Sequence, residues 1–94
     1  MLFKVNLYST LRELVGAKTV EIELDAQPTL RQMVADLAKR YPALGQEILD
    51  ASGDLQSHIH IFVNGRQMTL LEKGLDTKVT AENKISIFPP VGGG

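Results

Sequence analysis

The chain has no cysteine and no tryptophan, and only two tyrosines and three phenylalanines occur among its 94 residues. Without cysteine, the protein has no disulfide framework, no thiolate metal site and no thiol nucleophile. The 10 basic and 11 acidic residues are scattered along the chain, and the net charge is -1. The sequence therefore lacks the basic stripe with interleaved aromatic residues that binds nucleic acids, and no nucleic-acid partner is predicted.

Long apolar runs are also missing. The amino terminus passes directly into an alternating pattern at Phe3, without the apolar stretch of a secretory signal. No run of 18 apolar residues occurs, so no membrane association is predicted. A hydrophobic fraction of 44% with 22% charged residues is ordinary for a globular chain, and 94 residues build one core. We therefore expect one cytoplasmic domain.

The periodicity of apolar residues predicts the order of the secondary-structure elements. Alternation indicates strands within residues 3–8, 19–24, 58–63 and 84–88. The Asn64-Gly65 pair predicts a tight hairpin and a short return strand after the third of these segments. Thr29 is the expected N-cap of the main helix, which Pro42 separates from a shorter helical segment. Another short helical turn is expected before Gly16.

This order is that of a β-grasp (ubiquitin-like) domain of the α+β class, with a mixed sheet of about four to five strands covered on one face by one main helix. The strand residues expected to face the helix are Val5, Ile22, Ile61 and Ile87. Alternation then places Tyr8, Phe62 and Phe88 on the opposite, helix-free face. Aromatic side chains gathered there would form a partner-docking surface, unless loops fold over them.

The chain finishes with Phe88-Pro89-Pro90-Val91-Gly92-Gly93-Gly94. We expect a domain at residues 1–88 and a flexible tail at 89–94, in which the two prolines form a stiff stalk. Glycine has no Cβ, so Gly92 and Gly93 suit a channel too narrow for side chains. The Gly94 carboxylate is the candidate reactive group. The alternative is that this glycine-rich end is an inert linker.

In its order of elements and in its last residues, the sequence resembles the MoaD/ThiS-type ubiquitin-like sulfur carriers. This family includes the small subunit of molybdopterin synthase and archaeal small modifiers. The resemblance covers nearly the whole chain. Its matching segments are Leu11–Gly16, Thr29-Leu30, Tyr41-Pro42, Val63-Asn64-Gly65 and Ile87–Gly94. The last of these is the most specific.

The resemblance implies that a ubiquitin-activating-type enzyme adenylates the Gly94 carboxylate with ATP and that sulfur then replaces AMP, which leaves a thiocarboxylate. The chain has neither a G-x-G-x-x-G nor a P-loop pattern. We therefore expect the ATP-binding site to lie in the activating partner, and we expect no cofactor bound to this chain. Because cysteine is absent, the carboxyl terminus is the place left to carry sulfur. No stand-alone enzyme activity is expected.

Three functions stay open. The first is the small subunit of molybdopterin synthase, which docks on the large subunit through Tyr8, Phe62 and Phe88. Another sulfur acceptor enzyme is an alternative, because residues 74–79 resemble carriers that feed cysteine synthesis. The second is a modifier conjugated to lysines through Gly94, and the third is a β-grasp interaction module with an inert tail. His58 and His60 are expected on one side of the third strand, but they have no evident third ligand, so no metal site is predicted.

Overall fold

The structure is a computed structural model, and it describes residues 1–25 and 27–89. The helices and strands are, in chain order, β1 (Leu2–Leu7), α1 (Thr10–Val15), β2 (Thr19–Glu23), α2 (Leu30–Arg40), α3 (Pro42–Ile48), β3 (His60–Val63), β4 (Arg66–Gln67) and β5 (Ile85–Phe88). Two 3-10 turns, Met68–Leu70 and Gly74–Asp76, lie between β4 and β5. None of the described helices has the length and hydrophobicity to cross a membrane.

The five strands form one sheet in the order β2-β1-β5-β3-β4. The central pair, β1 and β5, is parallel, and the other three pairs are antiparallel. The sheet is therefore mixed, and the architecture is the predicted β-grasp fold of the α+β class.

The core lies between the sheet and the helices. Every second residue of β1 and β2 is buried, as the alternation predicts, and these residues are Phe3, Val5, Leu7, Val20 and Ile22. The buried stripe of α2 that meets them consists of Leu30, Met33, Val34 and Leu37. Burial of each such side chain contributes about 1.5–3 kcal/mol, so the sheet and α2 hold each other in place.

Local signals set the bounds of α2 and α3. Thr29 Oγ1 accepts a hydrogen bond from the Gln32 backbone N–H at 3.1 Å, and Gln32 Oε1 accepts one from the Thr29 N–H at 2.9 Å. This reciprocal pair is a capping box, so the predicted N-cap is confirmed. Tyr41 ends α2, and Pro42 occupies the first position of α3, where its missing N–H has no cost.

The predicted strands extended too far at Tyr8 and at His58. Tyr8 lies beyond β1 because the chain turns at Ser9, whose φ is 54°. His58 lies in a turn before β3, where the Ile59 N–H donates to the Gln56 carbonyl at 3.1 Å. The expectation that His58 and His60 share one strand face is therefore wrong.

Candidate functional site

Three aromatic rings meet where β1, β3 and β5 lie side by side. The Tyr8 and Phe88 rings are stacked, with centroids 4.1 Å apart and planes 12° from parallel. The Phe62 ring meets Phe88 edge to face at 5.3 Å. We call Tyr8, Phe62 and Phe88 the aromatic cluster.

The strand register places the cluster on the face opposite the core. Phe62 pairs with Ser86 across β3 and β5, whereas the buried Ile61 pairs with the buried Ile87. Side chains at alternate positions point to opposite faces, so Phe62 and Phe88 point away from α2. Each of the three rings is half-buried, so the described loops do not cover them fully.

Arg12 extends the cluster by one layer. Its guanidinium carbon lies 5.0 Å from the centroid of the Tyr8 ring, and its Nε donates to the Leu7 carbonyl at 2.6 Å. A cation over an aromatic face is attracted by the negative face of the ring. The sequence analysis did not identify Arg12, because Tyr8 lies before α1 and the spacing of the two residues is not a helical one.

A shallow hollow of about 180 Å³ lies beside these rings. Its lining residues are Tyr8, Phe62, Gly65, Lys84, Ser86 and Phe88. Ser86 is buried and Lys84 is exposed. The hollow therefore has aromatic walls and a positive charge at its rim, with Arg12 as a second cation nearby.

The expected tail begins at this surface. Phe88 is the last residue of β5 and belongs to the aromatic cluster, and Pro89 after it is buried. Gly92, Gly93 and Gly94, to which the sequence analysis assigns the tail and the reactive carboxylate, lie outside the described residues. The structure therefore brings together the three predicted docking residues at the point from which the tail continues.

His60 of β3 pairs in register with Phe88 of the neighbouring strand β5. Its Nδ1 is 2.9 Å from Gln67 Nε2. His58 is exposed, and the described residues contain no group of three or more His, Cys, Asp or Glu side chains placed to hold a metal ion.

A larger groove, of about 480 Å³, lies between α2, the loop before β3 and the segment after β4. At one end, the Arg31 guanidinium binds Asp76 at 3.1 Å and Asp54 at 3.3 Å. The hydrogen bond to Asp76 is the main cause that raises the pKa of Arg31 above its ordinary value. This cation stays charged and ties two loops to α2, so we assign it a structural role.

Comparison with known proteins places this geometry in a family. A family model described as the ThiS family matches residues 5–94. Small archaeal modifier protein 1 of Haloferax volcanii is 31% identical over 89 residues, which cover 95% of this chain and 97% of the relative. A putative sulfur carrier protein of Archaeoglobus fulgidus is 39% identical over 75 residues, which cover 79% and 84%.

Solved structures agree. The crystal structure of Haloferax volcanii small archaeal modifier protein 1 superposes with a TM-score of 0.83 at 27% identity, over 96% of this chain and 98% of that one. A putative molybdopterin converting factor, subunit 1, from Pyrococcus furiosus superposes with a TM-score of 0.76 at 26% identity, over 97% and 99%. The protein belongs to the ThiS family of ubiquitin-like proteins.

Proposed function

We propose that the protein is a ubiquitin-like sulfur carrier that is activated at the Gly94 carboxylate. The observation that carries this proposal is the position of the aromatic cluster, because a docking surface at the start of the tail orients the carboxyl terminus towards a partner's active site. Membership of the ThiS family and the similarity to a putative sulfur carrier support it.

The resemblance to the sulfur carriers implies the chemistry of this step. A Gly94 carboxylate oxygen attacks the α-phosphorus of ATP on the activating partner, and pyrophosphate leaves. The terminal sulfur of a partner persulfide then attacks the acyl carbon, and AMP leaves. A second thiol cleaves the resulting acyl disulfide, so that the thiocarboxylate stays on Gly94 and a disulfide forms elsewhere. The partner supplies every thiol, because this chain has no cysteine.

The body of the protein supplies binding. Tyr8, Phe62 and Phe88 would bury their exposed ring surface against the partner, as aromatic residues do at the centres of interfaces. Arg12 and Lys84 at the rim fit a partner with an apolar patch bordered by carboxylates. We expect the ubiquitin-activating-type enzyme and the sulfur acceptor to use this surface in turn.

Two acceptors follow from different observations. The likeness to a molybdopterin converting factor subunit favours the large subunit of molybdopterin synthase, which would use the sulfur on a pterin precursor. The likeness to small archaeal modifier protein 1 favours lysines of other proteins, joined to Gly94 by isopeptide bonds. Both acceptors use the same activated carboxyl terminus, and an enzyme that makes cysteine is a further acceptor of the same chemistry.

The test is mass analysis of the protein purified from its native host. A carrier shows an intact mass that is increased by the difference between sulfur and oxygen, whereas a modifier appears as a ladder of conjugates on other proteins. The matched control is a variant without Gly93 and Gly94, which should show neither product. An unmodified mass, no conjugates and no ATP-dependent adenylation with the activating enzyme of the same host would contradict the proposal.

A further inference from the structure

The strand β2 forms one edge of the sheet, and none of the described strands pairs with its outer side. The Leu7 N–H donates to the Lys18 carbonyl at 2.7 Å, and the Leu24 N–H donates to the Met1 carbonyl at 3.0 Å. In an antiparallel pair, the backbone groups of every second residue face the neighbouring strand. Between these two bonds, the residues of β2 whose N–H and C=O groups face β1 are therefore Val20 and Ile22. The N–H and C=O groups of Thr19, Glu21 and Glu23 therefore point outwards, and no described residue bonds to them through its backbone.

This edge is accessible and regular. Thr19, Glu21 and Glu23 are exposed, whereas Val20 and Ile22 between them are buried and fix the strand on the core. Three successive outward residues present a full set of donors and acceptors to an added strand. The opposite edge differs, because β4 has two residues and continues into a 3-10 turn.

The side chains along the open edge are acidic. Glu21, Glu23 and Asp25 follow one another at alternate positions, and all three are exposed. Two cations lie on the side of β1, where Lys4 pairs in register with Glu21 and the Met1 ammonium lies 3.2 Å from Glu23. The outer side of this acidic row faces solvent, where a basic side chain could reach it.

We propose that β2 is a second docking site, which takes an extended peptide segment as a sixth strand. The segment has Lys or Arg at alternate positions, so that these cations lie beside Glu21 and Glu23 while its backbone pairs with the open edge. A second copy of β2 fits less well, since an antiparallel pair of identical edges sets carboxylates against carboxylates.

The proposed site is independent of Gly94. Strand β1 lies between β2 and β5, so the open edge is separated from the strand that leads to the tail. A basic segment of a partner can therefore pair with β2 while the aromatic cluster binds elsewhere. Failure of this inference would leave the sulfur-carrier proposal unchanged.

The first test uses the full chain and a synthetic heptapeptide that alternates valine and lysine, capped at both ends, at low ionic strength. Amide hydrogen exchange followed by NMR should show the Thr19, Glu21 and Glu23 amides slowed by about tenfold at saturation. The Val20 and Ile22 amides already bond to β1, so they should change little. Absence of binding, or protection confined to the aromatic cluster, would overturn the proposal.

Backbone pairing is separated from simple charge attraction by two N-methylated forms of the peptide. In one form the odd-numbered peptide bonds carry the methyl group, and in the other the even-numbered bonds carry it. Only one set of peptide N–H groups faces β2, so one form should bind about tenfold more weakly than the other. Equal affinities of the two forms would contradict strand addition.

Charge reversal tests the selectivity. The variant Glu21→Lys/Glu23→Lys should weaken binding of the valine-lysine peptide by about tenfold or more. Its control is Glu47→Lys/Glu72→Lys, which changes the net charge equally at two exposed positions away from β2 and should bind as the parent does. Equal weakening of peptide binding in both variants would contradict a site on β2. A concentration-dependent dimer that slows exchange of the Thr19, Glu21 and Glu23 amides without peptide would also contradict the proposal.

Discussion

The Tyr8 ring lies flat against the Phe88 ring, with centroids 4.1 Å apart. Tyr8 follows the first strand and Phe88 ends the last one, and these two strands are the parallel pair at the centre of the sheet. The end of β5 is thus held against the residue that follows β1 through one aromatic stack. The same stack carries the surface that we propose for partner docking.

Replacing Phe88 by alanine should cost more in partner binding than in folding. The ring is half-buried and lies on the face opposite the core, so we expect a loss of about 1–2 kcal/mol in the free energy of unfolding. An interface hot spot should lose upwards of about 2 kcal/mol of binding free energy. Urea unfolding and the affinity for the activating enzyme, both measured on Phe88→Ala, give the two values.

Phe3→Ala is the matched control for that variant. Phe3 is also an aromatic strand residue, but it lies in the core with 1% of its surface exposed. Its truncation should cost about 3–5 kcal/mol of folding stability. If Phe88→Ala destabilises the protein as much as Phe3→Ala, or binds its partner with unchanged affinity, the role of Phe88 in docking is wrong.

The fold was predictable because local signals and tertiary packing agree. The alternation of Phe3, Val5 and Leu7 predicts a strand with one buried face, and the structure buries these three side chains. Thr29 predicts the start of α2, and its capping box forms. The aromatic cluster was also predictable, since alternation with Ile61 and Ile87 fixes the face on which Phe62 and Phe88 lie.

Other features depend on contacts that no local pattern encodes. Nothing near Arg12 in the sequence shows that its Nε reaches the Leu7 carbonyl and that its guanidinium covers Tyr8. The order of the strands in the sheet, which leaves β2 as an open edge, is equally non-local. The close contact of Gly45 with Ala38 of α2 is likewise not visible in the sequence around Gly45.

The hairpin after β3 depends on Asn64 for more than its backbone conformation. Asn64 has a φ of 53°, its Oδ1 accepts from the Lys84 N–H at 2.7 Å, and its own N–H donates to the Lys84 carbonyl at 2.8 Å. Asn64→Ala removes the side-chain acceptor and is disfavoured at positive φ, so we expect a loss of about 1–3 kcal/mol in thermal or urea unfolding. Asn64→Asp keeps an acceptor and should lose less; equal losses would contradict this role.

Gly45 is a contact glycine between α3 and α2. A Cβ at this position would lie 2.7 Å from Ala38 Cβ and 2.9 Å from Ala38 Cα, which is too close for the two helices to keep their spacing. Gly45→Ala should therefore destabilise the protein by about 1–3 kcal/mol, although glycine to alanine normally favours a helix. Gln46→Ala, at an exposed neighbouring position, is the control and should be close to neutral in urea unfolding. A stabilised Gly45→Ala protein would show that the helices separate without cost.

The tail prediction concerns width rather than charge. Gly93→Val keeps the terminal carboxylate of Gly94 but adds a β-branched side chain, which widens the tail and restricts its backbone. We expect the free energy of unfolding of this variant to lie within about 0.5 kcal/mol of that of the parent. We also expect the variant to lose ATP-dependent adenylation. Pyrophosphate release with the activating enzyme measures that loss, and Gly93→Ala, with one added carbon, should retain part of the activity. Full activity of Gly93→Val would show that the partner does not enclose the tail in a narrow channel, whereas a large loss of stability would show that Gly93 packs against the domain.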